Sequence, residues 1–73
     1  MSGFLSDLAP SVVGRVTEVR AESGDAIRLK ALGMCLGSQV TVIRAGDPMI
    51  VAVLGARVGI SARLATQVSV DVA

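Results

Sequence analysis

Met34 and Cys35 stand side by side, and they are the one place in this chain where a thioether and a thiol could act together on a soft metal ion. The remaining candidate ligands are the carboxylates Asp7, Glu18, Glu22, Asp25, Asp47 and Asp71, hard oxygen donors spread along the chain with no clustered spacing. With no His in the sequence, neither an ordinary zinc site nor the iron site of two His and one carboxylate can be assembled. A lone Cys usually behaves as a small hydrophobe, and dispersed carboxylates are usually solvated. These residues therefore argue against metal binding by the monomer, and the expectation is no metal site and no cofactor. A Ser or Cys nucleophile has no His to activate it, and no glycine-rich phosphate loop ending in Lys and Ser or Thr occurs. The chain reads as a protein that acts by contact, not as an enzyme.

Its 73 residues can fill one core but not two, so one domain over 1–73 is expected, with residues 1–5 as candidates for disorder. Hydrophobic residues make up 52% of the chain and the mean hydropathy is +0.70. The longest fully apolar run, Met49 to Leu54, falls far short of the ~20 residues of a membrane helix. No basic and apolar leader opens the chain, so direct membrane insertion is not expected and a cytoplasmic location is. The net charge of +1 is scattered, and Phe4 is the only aromatic residue, which removes both the basic field and the stacking platform of a nucleic-acid binder. One Cys cannot form an internal disulfide and reads as a reduced thiol.

Valine-rich runs separated by glycine turns call for strands. In Val13 to Val19, Val16 and Val19 have opposite parity, which a β-bulge near Thr17 or Glu18 would reconcile. Gln39 to Ile43 and Pro48 to Leu54 follow, joined by a turn at Gly46-Asp47, where Asp47 can hydrogen-bond the backbone ahead of it. Arg57 to Ser61 forms a hairpin with the preceding run through Gly55-Ala56, and Val68 to Val72 alternates so that its three valines face the core. Between the first two strands, Asp25 to Leu32 is expected to be a short helix, capped by Asp25 and closed by a left-handed Gly33 at C′, with Met34 folded back onto the last turn. Weaker helical turns are expected at Ser61 to Thr66 and Ser6 to Ala9. The fold class is mainly β: a small, partly closed barrel of about five strands with one short inserted helix, an open sheet being the alternative.

The stretch LKALGMCLGSQVTV from Leu29 to Val42, then Gly46-Asp47-Pro48-Met49, Val53-Leu54-Gly55 and Ile60, resembles the FeoA family, ferrous iron transport protein A. A helix ending in Leu-Gly-Met, a glycine turn, a valine strand, a Gly-Asp-Pro turn and a closing alternating strand occur in the family's order, over about Leu5 to Val72. The resemblance implies an SH3-like barrel and an accessory role beside FeoB, the membrane ferrous iron transporter that carries a G domain. The chain departs from the pattern where Leu36 replaces a common Pro and Ser61 a common Arg. An alternative is a regulatory module related to the C-terminal SH3-like domain of iron-dependent transcriptional repressors. The opening Met and the nearly complete barrel favour a free-standing protein.

So apolar a small domain should leave some apolar surface exposed, and the helix exit concentrates it. The expected partner-binding residues are Arg28, Leu29, Leu32, Met34 and Leu36, with Met49 as a neighbour, for a protein partner or a second copy. The competing reading has the helix plug one end of the barrel with Leu32 and Met34 inside.

Overall fold

The structure, a computed structural model, describes residues 2–72. Six strands form one antiparallel sheet: β1 (Ser2–Phe4), β2 (Val13–Val19), β3 (Gln39–Arg44), β4 (Met49–Val53), β5 (Ala56–Ile60) and β6 (Val68–Val72). Their order is β1-β6-β2-β3-β4-β5. Strand parity decides the inner face: Val40 and Val42, Met49, Val51 and Val53, and Val68 and Val70 are all buried, while Thr41, Ile50, Ala52 and Ser69 between them are only half-buried. The bulge falls at Thr17, because β2 pairs Val16 with Val70 and then Glu18 with Ser69. A second shift lies between Val42 and Arg44 in the β3–β4 ladder. Both bend the sheet towards closure.

The edges β1 and β5 do not pair with each other; a 3-10 turn, Leu5–Asp7, packs against helix α2 (Ala62–Ala65) in place of a final ladder. Leu5, Leu64 and Ala65 are buried there. The start of α2 is tied down twice: Ser61 Oγ accepts from the Leu64 N–H at 3.2 Å and Asp47 Oδ1 accepts from the Ala62 N–H at 3.0 Å. Asp47 thus bonds a residue 15 positions away, not the backbone just ahead of its own turn.

Three expectations need correction. The sheet has six strands rather than five, because Ser2–Phe4 pairs with β6 and Leu5 is buried; of the segment read as disordered, only Met1 lies outside the described residues. So short a strand has no alternating pattern of its own and exists because β6 offers it an edge. The β4–β5 turn is Leu54-Gly55, with φ of +52° and +77°, so both central residues are left-handed as a two-residue hairpin turn demands. Helix α1 (Ser23–Ala31) starts two residues early and Asp25 is not its cap; Asp25 Oδ2 instead accepts from Arg63 Nη1 of α2 at 3.3 Å.

The end of α1 follows the expected design. Gly33 has φ +101°, its N–H donates to the Lys30 carbonyl at 3.0 Å, and the Met34 N–H donates to the Leu29 carbonyl at 2.9 Å. This pair of bonds satisfies two carbonyls of the last turn and turns Met34 inward beside Leu29, both fully buried. Each such burial contributes about 1.5–3 kcal/mol relative to exposure.

Candidate docking site at the exit of helix α1

The chain leaving α1 is held against β2 just before the bulge. The Val16 N–H donates to the Ser38 carbonyl at 2.8 Å, and the Gly37 N–H, with φ +85°, donates to the Val16 carbonyl at 2.8 Å. Beyond Val16 the two segments diverge, and the space between them is a groove lined by Thr17, Glu18 and Val19 on one side and Lys30, Met34, Cys35 and Leu36 on the other. Met34 forms the floor, since it is fully buried, whereas Leu36 is 71% exposed and Cys35 is exposed.

Of the residues expected to bind a partner, Leu36 stands on the groove rim, Arg28 is exposed on α1, and Leu32 is half-buried against the core. Leu29, Met34 and Met49 are not surface residues: the first two are fully buried and Met49 is 2% exposed. Burial of Leu29 and Met34 follows from the glycine-closed helix end, and Met49 shares the inward parity of Val51 and Val53. Met34 is therefore inside, as the plugging alternative has it, and Leu36 is exposed, as a contact residue would have to be. Spacing within the sequence could have placed Met49, because positions 49, 51 and 53 lie on one face. It could not show that Thr17, Glu18 and Val19 would wall the groove, because a bulge leaves no record of what packs opposite it.

Electrostatically the rim is cationic on the helix side. Arg28 and Lys30 are exposed in the last turn of α1, where they favour the helix dipole, and neither forms an ion pair with another described residue. Glu18 on the opposite wall is already paired with Arg20. The Arg20 guanidinium also lies 5.6 Å from the centre of the ring of Phe4, the only aromatic residue of the sequence. No aromatic residue lines the groove, so it lacks the surface on which proline-rich peptides dock. It fits an apolar segment with acidic flanks.

Among the described residues, no three His, Cys, Asp or Glu side chains come together as a metal site, and no buried side-chain polar atom lacks a hydrogen-bond partner. No helix of the described residues is long and apolar enough to cross a membrane.

A family model for the FeoA domain matches residues 4–72. The crystal structure of an iron uptake regulatory protein (FeoA) is 27% identical, with 100% of both chains covered and a TM-score of 0.96. A FeoA of Stenotrophomonas maltophilia complexed with zinc, a prokaryotic SH3 domain protein put forward as a ferrous iron transport activating factor, is 29% identical over 94% of this chain and 89% of that one, with a TM-score of 0.84. The IdeR of T. acidophilum matches 99% of this chain at 22% identity and a TM-score of 0.90; the chain spans 34% of that protein, and the likeness shows the shared fold alone. A comparison with curated proteins finds no match. The mainly β, SH3-like architecture is thus shared with proteins of ferrous iron transport, and with the family model spanning nearly its whole length, the chain belongs to the FeoA family.

Proposed function

We propose that this protein is a small cytosolic accessory of ferrous iron uptake that docks, through the groove at the exit of α1, onto a FeoB-like membrane ferrous iron transporter. The observation that carries this reading is Leu36, a large aliphatic residue 71% exposed that lines one groove with the buried Met34 and the exposed Lys30, a cation with no ion-pair partner among the described residues. An apolar anchor inside a charged rim is the arrangement that concentrates binding energy in protein interfaces. The protein contributes contact rather than catalysis, and nucleotide hydrolysis belongs to the transporter's G domain.

Titration of the full chain against the cytosolic region of a FeoB-like transporter tests this. Leu36→Glu weakens binding by about tenfold or more and lowers iron uptake, while the melting temperature stays unchanged. Unaltered binding and uptake, or loss of folding in that variant, overturns the placement of the site. The alternative, a regulatory module like that of iron-dependent repressors, draws on the IdeR likeness; binding to a repressor in place of the transporter would favour it.

A further inference from the structure

The bulge at Thr17 decides which backbone groups of β2 reach the groove. The Arg20 N–H donates to the Gln67 carbonyl at 2.7 Å, so Val19, which pairs with Val68, points its own N–H and C=O away from β6. Val16 points the same way, and its two groups are taken by Ser38 and Gly37 of the chain leaving α1. In a regular strand positions 16 and 19 would point to opposite sides; the extra residue between them puts both on one edge. At Leu36 and Cys35 the chain from α1 has already left that edge, and the N–H and C=O of Val19 meet no backbone partner among the described residues. Val19 is half-buried and lines the groove. One wall of the groove is therefore a short stretch of open sheet edge, on the side that β3 would cover if it began before Gln39.

An open edge selects an extended backbone, because a strand laid beside it returns both hydrogen bonds to the same residue. The surrounding side chains select what that strand carries. The floor is Met34, whose flexible thioether adapts to aliphatic shapes, and Leu36 stands exposed on the far rim. Lys30 is exposed in the same groove with no ion-pair partner among the described residues, whereas Glu18 on the β2 wall is neutralised by Arg20. The charge left uncompensated in the groove is therefore positive, and its complement is a carboxylate.

We propose that the groove receives an extended segment of a partner protein, which pairs with the backbone of Val19 as an added strand, lays an aliphatic side chain over Met34 and Leu36, and sets a carboxylate beside Lys30. This rests on the reading of the groove as the docking site and adds the conformation and chemistry of what docks there. The main-chain bonds supply affinity that depends little on sequence, while the Met34 floor and Lys30 supply the selection.

Two probes separate this proposal from the transporter reading: the cytosolic region of a FeoB-like transporter, and blocked hexapeptides that alternate Val with Glu, Gln or Lys. Cys35 is the only thiol of the chain and lines the groove, so occupancy of the full chain is read as slowed alkylation by iodoacetamide. The Glu peptide is expected to protect Cys35 at a concentration about threefold or more below that of the Gln peptide, with the Lys peptide last. Lys30→Glu inverts that order, and high salt compresses it. Lys30 is exposed, so the fold accepts the change. In hydrogen exchange the Val19 amide slows by about tenfold when the groove is filled, while that of Arg20, already bonded to Gln67, does not. Protection by the Glu peptide in this pattern, with no binding of the transporter region, supports the groove chemistry and removes the transporter reading. A transporter region that protects Cys35 but leaves the Val19 amide exchanging freely keeps the docking site and overturns the added strand. A peptide order that ignores the charge at position 30, or no protection of Cys35 by any probe, overturns the proposal.

Discussion

The two helices of this molecule interrupt the strands in similar ways but are held by different means. Helix α2 has four residues, two of them buried, and its ends are bonded by side chains: Ser61 and Asp47 at the start, and Thr66, whose Oγ1 donates to the Arg63 carbonyl at 2.6 Å, at the finish. Helix α1 is twice as long, has no side-chain bond at its N-cap, and is closed at its C-terminus by backbone bonds around Gly33. It is anchored by Leu29 and, just beyond it, Met34. In α2 the apolar side chains and many of the hydrogen-bonding groups are occupied within the domain, so it serves as a strut across the open seam of the barrel. The exit of α1 closes itself with main-chain groups and leaves Leu36, Cys35, Arg28 and Lys30 facing solvent. A segment that needs few side chains for its own folding has side chains to offer a partner.

Thermal and denaturant unfolding of single variants test that contrast. The largest effect is expected from Leu29→Ala, which empties the contact between α1 and the core and should cost about 2–5 kcal/mol. A small loss would mean that α1 is not anchored by packing at all. Gly33→Ala comes next: φ +101° is hostile to a side chain, and the new Cβ would lie 2.9 Å from Leu54 Cδ1, so about 1–2 kcal/mol should be lost. Asp47→Ala removes one bond to the start of α2 and should cost about 0.5–1.5 kcal/mol. The least effect, about 0.2–0.5 kcal/mol, is expected from Asp25→Ala, because the Arg63 side chain that it engages is 68% exposed and the pair is screened by solvent. If Asp25 outweighed Asp47, the two helices would brace one another, and the division between strut and docking element would fail.

Much of the fold was legible because it is written in neighbouring residues. Alternation in Gln39–Arg44, Met49–Val53 and Val68–Val72 announces an inner face, and the opposite parity of Val16 and Val19 announces the bulge at Thr17. Leu32-Gly33-Met34 announces a helix end, because a left-handed residue is needed there and glycine takes it without a steric penalty. The candidate docking site was half legible. Its position at the helix exit could be inferred from the concentration of apolar residues, but the division of those residues between core and surface could not.

The sequence by itself determined the five longer strands, the bulge, the closure of α1 and the lack of a His-based metal or catalytic site, since each depends on the residue types present or on their local spacing, whereas the three-residue β1 exists only through its pairing with β6. Tertiary structure alone decided that Met34 is a floor and Leu36 a rim. The two are apolar and two positions apart, and only the direction in which the chain runs back to β2 after Gly33 separates them. It also decided the partners of Asp47 and Asp25, which bond residues 15 and 38 positions away, and the sealing of the barrel by the 3-10 turn and α2 instead of a sixth ladder. Local pattern records what a segment can do with its own backbone. Which distant segment it meets depends on the packing of the whole chain, and no window of neighbouring residues contains that.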